Sequence, residues 1–147
     1  MKFHLRIDPM AEEEIRATVH TRTELIDRIE ALVLGEDRPE RIIGYGEDDW
    51  RELRLRDIEC ILVQEDRTYA IDGQGERFLL KARLYEVEKL LPDCFFRINK
   101  SAIANRNRIE RFTAAFNGAV DVRFQCGYQD YVSRRCFRAI KERMGIK

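Results

Sequence analysis

Amide and guanidinium side chains on a half-apolar scaffold are suited to recognising anions and base edges, and one stretch of this chain gathers them densely. The run FFRINKSAIANRNRIERF, from Phe95 to Phe112, sets Arg97, Asn99, Lys100, Asn105, Arg106, Asn107, Arg108 and Arg111 among Phe96, Ile98, Ile103, Ile109 and Phe112, with Glu110 as its one acid. Asn can pair with an adenine edge and Arg or Lys with guanine, while the remaining cations hold phosphates. Asn99 and Lys100 fall at the end of a predicted strand, Ser101 follows them, and Arg106 and Arg108 are expected in the turn after it. A second group, YVSRRCFRAIKER, places Ser133 as a helix N-cap, so Arg134 and Arg135 occupy the first turn of a predicted helix and Arg138 the next. Cations in a first turn oppose the helix dipole unless an anion is bound there. The pattern points to an anionic ligand; the plainer alternative is a basic rim that docks an acidic protein.

Enzymatic chemistry finds little to work with. His4 and His20 lie in predicted amino-terminal strands with no Ser or Cys nearby in nucleophile context. Glu47, Asp48 and Asp49 sit between glycine and tryptophan, where a solvated hairpin turn is expected rather than a cation site. GYG and DGQG lack the spacing of a phosphate-cradling loop and the helix that should follow it. Cys60, Cys94, Cys126 and Cys136 form no C-x-x-C pair, so they read as buried thiols rather than metal ligands or a disulfide framework. No catalytic residue, metal or cofactor is expected.

The elements that must position the basic groups follow from periodicity. KFHLRI (2–7) and EIRATVH (14–20) alternate apolar and polar residues around the turn at Asp8-Pro9, and read as a hairpin. Thr21 or Thr23 can cap a helix over ELIDRIEALVL, which Gly35 would stop. This β-β-α unit, residues 1–38, is below the roughly 40 residues that bury a core unaided. It must dock on the rest of the chain or on a second copy. The charged, Pro-containing GEDRPER (35–41) reads as the boundary. Beyond it, strands are expected at 41–46, 52–56, 58–64, 68–72 and 76–81, then a short helix over RLYEVEKLL that Pro92 ends. CFFRIN, IERFTA, VDVRFQCG and YQDYVS resume the strand pattern before the last helix. The fold class is mainly β with short helices, a β-rich α+β protein.

Charge divides along the same line. Residues 1–92 hold 15 Lys/Arg against 22 Asp/Glu and residues 93–147 hold 12 against 5, a balance of −7 and +7 hidden in a net charge of zero. Neither a signal peptide nor an apolar run near the ~18 residues of a membrane span is present, so a cytoplasmic location is expected.

Taken in order, FFRINKSAIANRNRIERF and YQDYVSRRCFRAIKERM resemble the signature of the LytTR DNA-binding domain family. LRDIECILVQEDRTYAID and LYEVEKLL stand where that family has its acid-containing strand and its short helix. The similarity covers roughly residues 40–145. It implies an elongated β-sandwich that binds double-stranded DNA by inserting loops, not a helix, into successive major grooves. Carried onto this chain, the base-reading positions fall on Asn99 and Lys100 in INKS, Arg135 in VSRR and Arg67 in QEDRTY. Arg97, Ser101, Arg106, Arg108, Ser133, Arg134 and Arg138 then become the phosphate-holding set. Histidine is common in the family where Asn99 stands, which implies a different base preference here. The resemblance also implies a bacterial stand-alone transcription regulator without a phosphoacceptor domain, often restrained by a small membrane-protein antagonist. Residues 40–147 are thus the expected DNA-binding part, and the amino-terminal unit the expected homodimerisation element.

Overall fold

The computed structural model divides the chain into two compact units, Met1–Asp37 and Arg38–Lys147, within which residues 1–34 and 40–145 are described. Most of the expected connector and its Gly35 stop signal lie outside the described residues.

In the first unit the expected turn forms, with Asp8 accepting from the backbone N–H groups of Met10 (3.1 Å) and Ala11 (3.2 Å). The expected hairpin does not: among the described residues no strand is assigned before Arg41. The apolar side chains of the two segments stay largely in water. Phe3 and Ile7 are 86% and 84% exposed, and a lone two-stranded ribbon is marginal in water. Helix α1, Glu24–Val33, starts as its sequence requires, with the Thr23 hydroxyl accepting from the Ile26 N–H. Arg22 reaches across its first turns to Asp27 and Glu30. Ile26 and Ile29 are half-buried, while Leu25, Leu32 and Val33 remain exposed.

The described residues of the second unit hold ten strands, β1 (Arg41–Tyr45), β2 (Trp50–Arg54), β3 (Ile58–Gln64), β4 (Arg67–Asp72), β5 (Arg77–Leu80), β6 (Phe95–Asn99), β7 (Ala102–Asn105), β8 (Ile109–Ala114), β9 (Val120–Phe124) and β10 (Gln129–Val132). Helices α2 (Leu84–Leu90) and α3 (Arg134–Met144) complete it. Strands β2-β1-β5-β4-β3-β7-β6 form one antiparallel sheet and β10-β9-β8 a second. Alternation along β3 explains the layering: Ile61 joins Phe78, Val87 and Ile103 in a core that includes α2, whereas Cys60 and Leu62 join Ile98, Val122, Phe124 and Ile140 in a core beneath the second sheet and α3. A register shift between Ile58 and Cys60 turns Glu59 toward the second sheet as well. Of the four free thiols, Cys60 is buried as expected; Cys94, Cys126 and Cys136 are half-buried instead.

Strand β7 was not expected as a strand. Its four residues, Ala102-Ile103-Ala104-Asn105, are all buried, and they show no alternation because both faces of the sheet are covered there. Glycine at 44 reflects close strand packing: a Cβ would come within 2.5 Å of Leu53 Cδ1 and 2.7 Å of Phe78 Cβ. We therefore expect Gly44→Ala to lower stability by about 1–3 kcal/mol, seen as a reduced urea midpoint at unchanged slope. An unshifted midpoint would contradict that packing.

Candidate nucleic-acid interface

The β6–β7 turn is built around Asn99, which is 2% exposed. Its side-chain oxygen accepts from the Ser101 N–H at 2.8 Å, an Asx-type turn that shapes Lys100 and Ser101. Its amide nitrogen donates to the Tyr131 carbonyl (2.9 Å) and to Asp130 Oδ1 (3.2 Å), both on β10. Asp130 also accepts from the Tyr128 hydroxyl at 2.8 Å. Burial, then the hydrogen bond and charge of Asp130, push that phenol well above its ordinary range, so it stays a neutral donor. Asn99 was expected to read a base. With both ends of its amide engaged inside the protein, it holds the turn, and Lys100, exposed at the tip, is the side chain presented outward.

Two more groups converge on this end of the sheets. The Ser133 N–H donates to the Ile98 carbonyl at 2.8 Å, which sets the start of α3 beside Asn99. Ser133 Oγ accepts from the Cys136 N–H, the expected cap. Arg134 and Arg135, both exposed, then diverge. Arg134 lines a cleft of about 360 Å³ with Arg138, Lys141 and Gly118, while Arg135 lines one of about 280 Å³ with Arg97, Glu88 and Arg143. On the other flank the Val63 N–H donates to the Ser101 carbonyl at 2.8 Å, so the β3–β4 tip lies next to Lys100. That tip turns through Glu65 and Asp66, both with positive φ, and presents Arg67. Arg67, Lys100, Arg134 and Arg135 therefore share one end of the unit, contributed by three separate chain reversals.

Three expected phosphate holders are placed otherwise. Arg97 donates to Glu88 (2.8 Å) and to the Lys100 carbonyl (2.8 Å), bracing the turn from behind. Arg106 and Arg108 follow β7 rather than β6, so they sit at the far end of that strand, about 13 Å from Lys100 at ~3.3 Å per residue. Arg108 is also committed there, to the Arg56 carbonyl (2.9 Å) and Asp57 (3.1 Å), with Glu59 at 3.8 Å. Glu59, fully buried, accepts from the Cys126 N–H at 2.7 Å and ties β3 to the β9–β10 turn. Sequence reasoning missed Asp130 and Glu59 because the contacts that join each to another part of the fold, with Asn99 and with the Cys126 N–H, are made to residues 31 and 67 positions away.

This architecture has known counterparts. The profile of the LytTr DNA-binding domain matches residues 48–145. The chain belongs to the LytTR DNA-binding domain family. Its fold superposes on the LytTR domain of a protein described as a methyl-accepting/DNA response regulator from Bacillus cereus, with a TM-score of 0.68 and 21% identity over 74% of this chain and 99% of that one. Two curated relatives, named as uncharacterized HTH-type transcriptional regulators of Staphylococcus aureus strains NCTC 8325 and N315, are 41% identical over 59 residues. The match spans 40% of this chain and 40% of theirs. In this LytTR chain α2 and α3 are separated by strands β6 to β10, so the described residues place no two helices in succession. None of its described helices is long and apolar enough to cross a membrane.

Removing the Asn99 amide leaves the Tyr131 carbonyl and the Ser101 N–H without their partner. Asn99→Ala should therefore cost about 1–3 kcal/mol of stability, measurable by chemical denaturation. Unchanged stability would mean that the side chain is free to turn outward.

Proposed function

We propose that the protein is a sequence-specific, double-stranded DNA-binding transcriptional regulator that reads the major groove with chain reversals, two hairpin tips and the turn that starts α3, rather than with a helix laid along the groove. The observation carrying this reading is the convergence of Arg67, Lys100, Arg134 and Arg135 on one end of a LytTR fold. Lys100 and Arg135 are the base readers, with Arg67 reading from the neighbouring tip. Arg134 and Arg138 hold phosphate on the flank of α3, assisted by the first-turn amides that Ser133 leaves pointing outward. Ser101 contributes a second hydroxyl at the β6–β7 turn. A bound phosphate would also relieve the opposition between two first-turn arginines and the helix dipole. The S. aureus relatives named as transcriptional regulators support the regulatory part of the proposal.

Duplex binding should weaken with salt at a log–log slope of about −4 to −5 per protomer, from four to six neutralised phosphates at roughly −0.9 each. Across the same series, Arg135→Ala and Lys100→Ala should lower the ratio of specific to random-DNA affinity, at about 1–3 kcal/mol per lost base contact. Arg138→Ala should lower both affinities together, and Arg106→Ala should change neither. A flat salt response would favour an acidic protein partner. Parallel losses for Arg135→Ala and Arg138→Ala would remove Arg135 from the base readers.

The amino-terminal unit is proposed to form a homodimer by pairing its extended segments with those of a second copy. Phe3, Leu5, Ile7 and Ile15 are exposed, and the described residues of the unit form no strand ladder. The segments are also complementary in charge, Lys2 and Arg6 in one against Glu12, Glu13 and Glu14 at the start of the other. The full chain should sediment as a dimer and the double variant Leu5→Asp with Ile15→Asp as a monomer. A monomeric wild type, or a variant that stays dimeric, would refute the assignment.

A further inference from the structure

The tip of the β8–β9 hairpin carries a feature that the basic pattern does not explain. Between Ala114 and Ala119 the sequence reads AAFNGA, uncharged throughout, and Phe116 is fully exposed. The tip is nonetheless closed by its own hydrogen bonds. Ala115 N–H donates to the Ala119 carbonyl (2.6 Å), Gly118 N–H to the Ala115 carbonyl (3.0 Å), and Ala119 N–H to the Asn117 side chain (3.1 Å). Gly118 takes a φ of 84°, which glycine adopts without steric cost. A hairpin closed in this way holds a phenyl ring out in water, where apolar surface is unfavourable.

Pairing register places this ring among the proposed DNA contacts. Ala114 pairs with Val120, and Val120 pairs with Val132, the residue before Ser133. The tip therefore projects beyond the same strand ends from which α3 starts and beside which Asn99 holds Lys100. Gly118 lines the cleft that contains Arg134, Arg138 and Lys141. Cations that hold phosphates would bring the backbone of a duplex against this cleft, and the hairpin tip with it.

We infer that Phe116 is an apolar wedge that inserts at a base step of the bound duplex, beside the phosphates held by Arg134 and Arg138. This rests on the DNA-binding reading above. The chemistry of the tip fits such a role: one rigid aromatic ring, flanked by alanines and a glycine that keep the hairpin narrow enough to follow it into a groove. Inserted apolar side chains unstack a step and kink the duplex. Base-stacking of an aromatic ring is tolerant of sequence, so the wedge would set the shape of the complex while Lys100 and Arg135 set its sequence preference.

The test uses the full chain and end-labelled duplexes in which energy transfer reports the bend. Phe116→Ala should reduce the bend and weaken binding about tenfold while leaving the salt slope at the wild-type value, since no cation is lost. Phe116→Leu should retain most of both. The residue packs against nothing, so the thermal midpoint should not move. An unchanged bend in Phe116→Ala would overturn the inference, including the case in which affinity falls through a contact at the groove edge. Absence of salt-dependent duplex binding by the wild type would instead sink the DNA-binding reading itself, a distinct outcome.

Discussion

The buried amide of Asn99 is the constraint on which the candidate interface depends. It lies where two sheets and a helix meet, and each of its polar atoms is committed: one to the turn it shapes, the other to β10 and Asp130. A carboxylate in its place could not donate to the Tyr131 carbonyl, and an apolar residue would leave that carbonyl and the Ser101 N–H unsatisfied in a buried site, which is costly. Lys100 and the first turn of α3 are thus set at a fixed spacing by one side chain that need not touch a ligand. Preorganisation of this kind lets a flexible lysine or arginine contribute to recognition without the additional cost of ordering its backbone.

Glu59 plays the corresponding part at the other side of the second sheet. Held in the interior, it accepts from the Cys126 N–H and faces the Arg108 guanidinium, which also reaches Asp57 and the Arg56 carbonyl. A buried carboxylate is tolerable only when paired and hydrogen-bonded; here one oxygen takes the Cys126 N–H, and the other has the Arg108 guanidinium 3.8 Å away in place of a hydrogen bond. Some cations that look available in the sequence are therefore structural. Arg97 and Arg108 secure the turn and the sheet, leaving a smaller group, from three chain reversals, to face outward.

The difference between where the candidate residues were expected and where the fold places them traces largely to four residues. Ala102–Asn105 is too short and too uniformly buried to announce a strand, yet as β7 it reverses the chain and carries Arg106 and Arg108 away from Lys100. Reading the segment as a turn placed all these cations together. The amino-terminal hairpin failed for the opposite reason. Its alternation was clear, but alternation alone does not bury an apolar face, and Phe3, Leu5 and Ile7 stay exposed.

By itself the sequence determined the elements of residues 41–145 other than β7, to within a residue or two at most ends, together with the Ser133 and Thr23 caps, the concentration of positive charge after residue 92, and membership in a DNA-binding family. These are local properties: periodicity, capping chemistry and motif order are all read within a few residues of one another. Tertiary structure alone decided which polar side chains face inward. Asn99, Glu59, Arg97 and Arg108 are held by partners 2 to 67 residues distant, and no local pattern distinguishes a committed guanidinium or amide from an outward-facing one. Only folding brings Arg67, Lys100 and Arg135 to one end, because their proximity depends on strand register across two sheets, a property of pairing rather than of any single segment.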